Sequence, residues 1–556
     1  MGSTLGDACD ENADGDGVND KTVNGSTATP CTITDENGAP PCDRCPLVAN
    51  QLVTDTDQDL IPDACDNCSK VSNFDQSRAA QIADRPRTEL DALNLGDVCA
   101  IKKIVSGGLH NCIVTYAGSV KCWGYNDHGQ LGYGPSDTRT RGDEANEMGT
   151  NLLPLKFGAG LVATDIGLGR YHTCAILKNV SNEKQIKCWG YNGDGELGVQ
   201  NGAVIPRYNM SPDGTINMAT TIPGTGDITG IACGERRCCV LRDSRPVCWG
   251  EGAYGGLGDG TTTSTISKSS FAIIPVVFND GGSQFSELSM SQRGACALQV
   301  DGNVWCWGWN NVGQLGIDSI NDQSTPQQVR DMANVVAVRG SQNVWVDYYN
   351  YVHRCAIYGS VNSRKLKCWG ENYWSELGRD TADDDNIGSG SGTTAKMTDA
   401  KDVTFKADNM TTTTGVLDAS LGRLSSCAIY KYTSDSATCT KTRQALSCWG
   451  NNDNKETGTT ATGTDYGKLA NKVQTKDALL AGSVVATLKS GQTDTECVTG
   501  EYPVMLASGF LHNCVLTSKN HVRCWGYNGN GELGKGSTTE SVLDTNTTGI
   551  TDFGLR

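Results

Sequence analysis

Two acidic runs near the N-terminus carry the side chains best suited to hold a metal ion. Oxygen-bearing residues alternate with other residues in both runs, at Asp10, Asn12, Asp14, Asp16 and Asp20 and again at Asp55, Asp57, Asp59 and Asp63. Ca²⁺ takes about six to eight oxygen ligands, and a looping backbone can direct alternate carboxylates toward one point. The runs therefore predict calcium as a bound cofactor. An EF-hand is excluded, because Lys21 stands where the first run would need its bidentate Glu.

A second reactive set consists of cysteines around a recurring Cys-Trp-Gly sequence. This sequence occurs seven times, and a short apolar segment with a cysteine of its own precedes each copy. In four copies the two cysteines are ten residues apart, which would place them opposite each other in a β-hairpin. Opposed positions are close enough for a disulfide. The predicted pairs are Cys112–Cys122, Cys174–Cys188, Cys238–Cys248, Cys296–Cys306, Cys355–Cys368, Cys427–Cys448 and Cys514–Cys524.

A zinc site is the competing interpretation of the same pattern. In four copies a histidine lies two residues before the first cysteine, at His110, His172, His353 and His512. The other copies do not keep it and have Arg236, Gly294 and Ser425 instead. Two cysteines and one histidine also leave a tetrahedral zinc site incomplete. We therefore expect packed or hydrogen-bonded structural histidines, and tryptophans that fill the gaps between neighbouring sheets.

Short strands and turns are the elements that would position these residues. Most Cys-Trp-Gly copies are followed by a Gly-Xaa-Leu-Gly turn, and the whole unit recurs at intervals of 58 to 80 residues. Repetition at such intervals is typical of propellers and other repeat architectures. The 67 glycines and the frequent Ser, Thr and Asn suit strands joined by turns better than helices.

The N-terminal region resembles thrombospondin type 3 repeats. The resemblance rests on Asp43-Arg44-Cys45-Pro46, on the alternating aspartates, and on Pro62-Asp63-Ala64-Cys65-Asp66-Asn67-Cys68. Such repeats wrap an irregular chain around calcium ions and staple it with disulfides, so the resemblance implies that the oxygen donors named above are the ligands. Cys45 with Cys65 and Cys68 with Cys99 are the expected disulfides. Leu60 departs from the family, which usually has glycine there.

Residues 100–556 resemble the regulator-of-chromosome-condensation family. Gly169-Arg170-Tyr171-His172-Thr173-Cys174, followed by Cys188-Trp189-Gly190-Tyr191-Asn192, carries the repeat pattern, and seven such units fill this region. The family folds as a seven-bladed β-propeller. The third unit departs from the pattern, because Cys233, Cys238 and Cys239 crowd one strand, and Cys233 with Cys239 is a further expected pair.

The two resemblances together imply an all-β chain of two domains. Residues 1–99 would form a thrombospondin type 3-like acidic calcium-binding stalk, irregular, wrapped around calcium and linked by disulfides. Residues 100–556 would form the seven-bladed β-propeller.

Charge and cysteine usage limit the possible functions. The net charge is −17, and residues 1–100 contribute most of it with 19 acidic and six basic side chains. Neither region offers the basic surface that phosphate backbones require, so we expect no nucleic-acid partner. No run of 18 apolar residues occurs, so we expect no membrane insertion. The 25 cysteines indicate an oxidising compartment, and we expect a secreted or cell-surface protein whose export signal is not part of this sequence.

These observations favour a binding or structural protein over an enzyme. We expect an adhesin, extracellular scaffold or fibre subunit, with a propeller face that binds a protein or a surface glycan, or other copies of itself. A secreted protein-binding inhibitor is the alternative. Its binding surface would be formed by the aromatic residues that follow Cys-Trp-Gly, at Tyr125, Tyr191, Trp309 and Tyr527. A hydrolase of extracellular polymers is less favoured, because no Ser/His/Asp order, paired-carboxylate signature or phosphate loop stands out.

Overall fold

Short antiparallel strands make up the protein, which we describe from a computed structural model. The structure describes residues 101–134, 137–199, 222–264, 273, 275–279, 282–341, 352–361, 363–378, 386–389, 396–406, 410–435, 439–458 and 502–543, with isolated strands at 21–24, 27–30, 473–474, 481–488 and 550–551. The helices in these ranges are single 3-10 turns at Gly149–Asn151, Ala253–Gly255 and Met397–Asp399, so the described fold is all-β and poor in helix. None of them could cross a membrane.

Most of the strands belong to seven antiparallel sheets within the described ranges, and the first four follow one another along the chain. Sheet 1 contains β3 (Ile101–Ser106), β4 (His110–Thr115) and β5 (Val120–Gly124). Sheet 2 contains β6 (Val162–Leu168), β7 (His172–Lys178) and β8 (Lys184–Gly190). Sheet 3 contains β9 (Ile228–Cys233), β10 (Arg237–Arg242) and β11 (Arg245–Gly250). Sheet 4 contains β12 (Phe285–Met290), β13 (Gly294–Gln299), β14 (Val304–Gly308) and β15 (Gln323–Gln328).

The remaining sheets continue the same up-and-down order. Sheet 5 contains β16 (Val335–Gly340), β17 (His353–Tyr358) and β18 (Lys365–Gly370). Sheet 6 contains β20 (Met410–Leu421), β21 (Ser425–Asp435), β22 (Cys439–Gly450) and β24 (Ala481–Leu488). Sheet 7 contains β25 (Pro503–Ser508), β26 (His512–Thr517), β27 (Val522–Gly526) and β28 (Ile550–Thr551). Two small pairs lie outside these sheets, β1 (Lys21–Asn24) with β2 (Thr27–Pro30) and β19 (Phe405–Lys406) with β23 (Val473–Gln474).

The first strands of the sheets form a continuous inner layer. Each first strand contacts the first strand of the next sheet, in the order β3, β6, β9, β12, β16, β20 and β25, and β25 contacts β3. The last sheet therefore lies beside the first. The compact unit that contains these sheets comprises Ile101–Val114 and Gly118–Gly554.

The buried tryptophan of each Cys-Trp-Gly links its sheet to the preceding one. Its indole N–H donates to a backbone carbonyl in the turn that follows the preceding Cys-Trp-Gly, as in Trp189 to Gln130 at 2.9 Å and Trp249 to Glu196 at 2.8 Å. Trp123 of sheet 1 donates to Glu532 of sheet 7 at 2.9 Å. The remaining bonds run from Trp307 to Gly256, Trp369 to Gln314, Trp449 to Glu376 and Trp525 to Glu456. The seven bonds thus form a closed circuit.

The glycine of Cys-Trp-Gly is required by the backbone. Gly124 has φ +104°, a value that side-chain-bearing residues rarely adopt. A Cβ on Gly124 would lie 2.7 Å from the carbonyl oxygen of Leu109, so the neighbouring strand leaves no room for one. This close approach explains why the sequence keeps glycine after the tryptophan.

Disulfides join the second and third strands in six of the predicted positions. Register places the two cysteines opposite each other, with Cα atoms 4.1 Å apart in Cys112–Cys122 and 4.0 Å apart in Cys174–Cys188. The same arrangement is found at Cys296–Cys306, Cys355–Cys368, Cys427–Cys448 and Cys514–Cys524.

Sheet 3 contradicts the predicted pair Cys238–Cys248. Cys239 lies opposite Cys248 and bonds to it, while Cys238 lies opposite Trp249 and bonds to Cys233 on β9. The expected pair Cys233–Cys239 is wrong for the same reason. The opposed cysteines of sheet 3 are nine residues apart, whereas those of sheet 4 are ten apart, so the cysteine opposite Cys248 is the later of the two neighbours.

The predicted stalk residues lie outside the described part of the chain. They are the calcium ligands Asp10, Asn12, Asp14, Asp16, Asp20, Asp55, Asp57, Asp59 and Asp63 and the cysteines Cys45, Cys65, Cys68 and Cys99.

Candidate functional site

One edge of the sheets carries several polar and aromatic side chains that could meet a partner. At this edge the first strand of a sheet ends, the second begins and the third ends. It carries the turns at 107–109, 169–171, 234–236, 291–293, 422–424 and 509–511 together with the turns after Cys-Trp-Gly. We call this edge the turn face. Loops held at strand ends by a rigid sheet are frequent sites of recognition.

A cavity of about 330 Å³ opens on the turn face where sheets 1, 2 and 3 adjoin. Its walls come from the turn after Cys122-Trp123-Gly124, from the turns at 169–171 and 234–236, and from the turn after Cys188-Trp189-Gly190. The side chains lining it include His128, Arg170, Tyr171, Tyr191, Glu235 and Arg236.

Aromatic rings form one wall of this cavity. The Tyr171 ring centroid lies 4.5 Å from that of His128 and 5.7 Å from that of Tyr125. The His128 and Tyr191 centroids are 5.3 Å apart. The guanidinium carbon of Arg170 lies 4.5 Å from the Tyr171 centroid, within cation–π range. We call Tyr125, His128, Arg170, Tyr171 and Tyr191 the first arginine–aromatic cluster.

Carboxylates hold the two arginines of the cavity in place. Arg170 Nη1 lies 3.2 Å from Glu235 Oε1, and Arg236 Nη1 lies 3.1 Å from Asp194 Oδ2. Burial lowers the pKa of His128 and raises the pKa of Glu196 to about 8. The cavity therefore presents fixed guanidinium groups and polarisable rings, with an imidazole held in its neutral form near pH 7.

A second cluster that pairs an arginine with aromatic rings lies between sheets 3 and 4. The guanidinium carbon of Arg293 lies 5.0 Å from the Tyr254 ring centroid and 5.4 Å from that of Trp309. Tyr254 is 39% exposed and has φ 61°, a left-handed conformation that costs about 1–3 kcal/mol in a non-glycine residue. Strain of this kind accumulates at binding sites. We call Tyr254, Arg293 and Trp309 the second arginine–aromatic cluster.

Sequence reasoning identified part of this surface. It singled out the residue after Cys-Trp-Gly as a possible aromatic contact; Tyr125, Tyr191 and Tyr527 are half-buried there, whereas Trp309 is buried. It missed the arginines of the turns between the first and second strands. The sequence feature that could have revealed them is an arginine that recurs just before the second strand in four units, at Arg170, Arg236, Arg293 and Arg423.

Comparison with known proteins identifies the repeat. Two family models described as "Regulator of chromosome condensation (RCC1) repeat" match, one at residues 117–176 and 301–344 and the other at 101–130, 285–314 and 506–532. The chain therefore contains RCC1 repeats.

Curated relatives match part of the chain. The ultraviolet-B receptor UVR8 of Arabidopsis thaliana is 29% identical over 41% of this chain and 46% of its own length. The mitochondrial RCC1 domain-containing protein RUG3 of the same plant is 28% identical over 42% and 47%. Human RCC1 domain-containing protein 1 is 26% identical over 41% and 50%. The chain thus spans about half the length of the curated relatives it matches.

Solved structures show the fold. Human WBSCR16 aligns with TM-score 0.51 and 18% identity, over 76% of this chain and 93% of its own. Yeast RCC1 (Prp20), in a structure with bound Kap60, aligns with TM-score 0.50 and 16% identity, over 81% and 86%. The sheets therefore have an RCC1-type propeller arrangement.

The comparisons overturn the predicted function and location. The relatives are named as an ultraviolet-B receptor, a mitochondrial protein and an RCC1 domain-containing protein, and these names point away from secretion. The prediction of a secreted or cell-surface adhesin, scaffold or fibre subunit is wrong, as is the placement outside the cell. The prediction of secretion rested on the number of cysteines. Their pairing follows from the hairpin geometry of each unit, and this geometry does not determine the compartment in which the protein resides.

Proposed function

We propose that this chain is a non-enzymatic, protein-binding propeller of the RCC1 type, whose partner docks on the turn face over sheets 1 to 4. The two arginine–aromatic clusters are the observation that carries this proposal. Arginine, tyrosine and tryptophan are the residues most enriched among those that dominate binding energy at protein interfaces. Both clusters are partly exposed, and they lie on adjoining sheets of a rigid scaffold.

The construction of the clusters supports the same role. Arg170 and Arg236 are each held by a carboxylate, at 3.2 and 3.1 Å. A partner would therefore meet side chains that are already ordered, and binding would cost little side-chain entropy. Yeast RCC1 (Prp20), whose fold is similar, has been solved with Kap60 bound.

Variants on opposite edges of the sheets test this proposal. Cross-linking of the tagged full chain in cell extract first identifies the partner, and binding is then measured with both proteins purified. Tyr171→Ala and Arg293→Ala should each weaken binding by about 10- to 100-fold. Val180→Ala is the matched control, because Val180 is 96% exposed in the turn between β7 and β8, at the other edge of sheet 2. Unchanged affinity of both turn-face variants, or an equal loss with Val180→Ala, would contradict the proposal; selective binding of an immobilised glycan in place of a protein would contradict it too.

We also propose that the seven sheets form one closed seven-bladed ring. The circuit of seven indole hydrogen bonds supports this count, because it passes through every sheet and returns from Trp123 to Glu532. Reconstruction of the particle by cryo-electron microscopy tests it, and a ring of six or eight blades would contradict it.

A further inference from the structure

A compact group of metal-binding side chains lies where sheets 2 and 3 meet, below the cavity of the turn face. His172 Nε2 lies 3.2 Å from Cys238 Sγ, and Cys238 Sγ lies 3.5 Å from Cys174 Sγ. Ligand atoms of His172, Cys233 and Cys238 all fall within 4.8 Å of one another. These four residues are buried. In the described ranges, this is the group whose spacing suits a metal ion.

The group departs from the repeat in a specific way. In three other sheets the equivalent histidine bonds to an oxygen of the next sheet: His110 to Thr173 at 2.8 Å, His353 to Ser426 at 2.7 Å and His512 to Asn111 at 2.8 Å. Only His172 meets a cysteine there. Cys233 faces Cys238 across the sheet, at the position that Leu168 occupies in sheet 2. Two sulfur atoms have thus been added around one histidine.

We propose that in the reduced protein His172, Cys174, Cys233 and Cys238 bind one Zn²⁺ ion, as an alternative to the disulfides Cys233–Cys238 and Cys174–Cys188. Structural zinc is bound by four ligands in a tetrahedron, and three cysteines with one histidine is a common set. The sequence pattern disfavoured a zinc site repeated in every unit. The site proposed here is different, because it takes ligands from two sheets and occurs once among the described residues.

The observed spacing fits a tetrahedral ion. Zinc–sulfur bonds of about 2.3 Å and zinc–nitrogen bonds of about 2.0 Å imply sulfur–sulfur distances of about 3.8 Å and nitrogen–sulfur distances of about 3.5 Å. The Cys238–Cys174 and His172–Cys238 distances of 3.5 and 3.2 Å differ from these by a few tenths of an ångström. Reduction of the Cys233–Cys238 disulfide would free its two sulfur atoms to separate to the same spacing.

Access to the group fits as well. His172 also lines the cavity of about 330 Å³ on the turn face, which provides an entry path for the ion.

The exchange is chemically balanced with a dithiol reductant. Each of the two disulfides takes two electrons and two protons from one dithiol, which becomes a disulfide in turn. Binding of Zn²⁺ then releases three protons, one from each ligating thiol, while Cys188 remains a thiol. The group would therefore hold two disulfides under oxidising conditions and one bound Zn²⁺ ion under reducing conditions.

Metal retention by the full chain tests the proposal. The protein is reduced with a phosphine under nitrogen, incubated with Zn²⁺ or Co²⁺, desalted and analysed for metal by mass spectrometry. We expect the wild type to retain one more equivalent of metal than the double variant Cys233→Leu, Cys238→Thr. This variant carries the residues that sheet 2 has at the equivalent positions, Leu168 and Thr173. With Co²⁺, that extra equivalent should show sulfur-to-cobalt charge transfer.

Two controls keep the result specific. Cys296→Ala, Cys306→Ala removes a hairpin pair from sheet 4, where Gly294 takes the histidine position, and should retain as much metal as the wild type. Cys238→Thr alone should lose the equivalent, and circular dichroism should show intact β-structure in every variant. Equal metal content in wild type and Cys238→Thr, the same content in oxidised wild type, or loss of β-structure on reduction with zinc present would overturn the proposal.

Discussion

Buried glutamates in the turns after Cys-Trp-Gly couple the stability of the fold to pH. Glu532 accepts hydrogen bonds from the backbone N–H of Asn530 at 2.8 Å and from its side-chain amide at 2.7 Å. Burial raises the pKa of Glu532 to about 7. Gln130 and Gln314 hold the equivalent turn in two other units through the same backbone bond. The turn therefore needs an acceptor oxygen and does not need a charge.

Replacing Glu532 with Gln should make the protein relatively more stable at alkaline pH. The carboxyl pKa is raised in the folded state, so its contribution to stability is complete below pH 4.5 and is lost as the pH rises through about 7. Between pH 5 and pH 8 the unfolding free energy of Glu532→Gln, relative to that of the wild type, should therefore rise by about 2–3 kcal/mol. Urea unfolding followed by circular dichroism at the two pH values measures this. Glu183→Gln is the control, because Glu183 lies in an exposed turn, and its unfolding free energy should show no such gain. If the unfolding free energies of Glu532→Gln and the wild type changed equally with pH, the interpretation would be wrong.

The histidines show what the sequence could predict about single residues. Their repetition predicted a packed or hydrogen-bonded role, and His110 and His353 indeed bond to Thr173 and Ser426. The partners could not be predicted, because each lies in the next sheet, far along the chain. The same limit hid the group around His172, since no spacing within one unit reveals which residues of the next unit face it.

At the level of elements, the tryptophans stabilise the contacts between sheets through both burial and a hydrogen bond. Sequence reasoning predicted that they fill the gap between sheets. It did not predict the indole partner, a backbone carbonyl in the preceding unit, because that bond depends on how neighbouring sheets are placed. The hairpin disulfides were predictable, since spacing within one hairpin fixes register. Sheet 3 was the exception, because two adjacent cysteines made the register ambiguous.

Trp249→Phe should destabilise the protein more than Trp305→Phe. The substitution at Trp249 removes a buried 2.8 Å bond and leaves the Glu196 carbonyl without that donor, which costs about 1–3 kcal/mol. Trp305 is the matched control, because its indole N–H has no hydrogen-bond acceptor and its side chain is only partly buried. Chemical unfolding of the two variants gives the comparison. Equal losses would show that the indole bonds contribute nothing beyond burial.

At the scale of the whole molecule, charged side chains link the inner strands of three sheets. Arg339 of sheet 5 contacts Glu287 of sheet 4 at 2.6 Å and Asp418 of sheet 6 at 3.1 Å. Each carboxylate also accepts a backbone N–H of the following sheet, Glu287 from Val338 and Asp418 from Leu506. The network therefore fastens the inner layer across sheets 4 to 7.

Loss of Arg339 should destabilise the inner layer markedly. Arg339→Met leaves two carboxylates without their cation, and we expect the unfolding free energy to fall by about 2–4 kcal/mol. Arg330→Met is the control, because Arg330 is mostly exposed and lies 3.6 Å from Asp318, so its pair should contribute less than about 1 kcal/mol. Adding Glu287→Gln and Asp418→Asn to Arg339→Met should restore part of the loss. No recovery in that triple variant would show that charge balance is not the cause.

The calcium site of the N-terminal region stays a prediction from the sequence. The alternating carboxylates of Asp55, Asp57 and Asp59 should bind Ca²⁺ in the full chain, with heat detectable by titration calorimetry after removal of metal with a chelator. Asp55→Asn, Asp57→Asn, Asp59→Asn together should reduce the number of bound ions. The same three changes at Asp137, Asp227 and Asp301 in the propeller should leave it unchanged. Failure of the wild type to bind Ca²⁺ at millimolar concentration would refute the site.

The indole bond from Trp123 to Glu532 has a consequence for how the chain is made. The first sheet emerges from the ribosome long before the residues that complete its flank, so its surface stays unpaired until sheet 7 has been synthesised. Sheets that fold one after another during synthesis therefore cannot complete the packing of sheet 1 before sheet 7 has folded. Every sheet contacts equivalent neighbours on both sides, so the packing of the ring does not require the propeller to begin and end between sheets 7 and 1. New ends opened in any exposed loop, with the old ends of the propeller joined, should give the same ring.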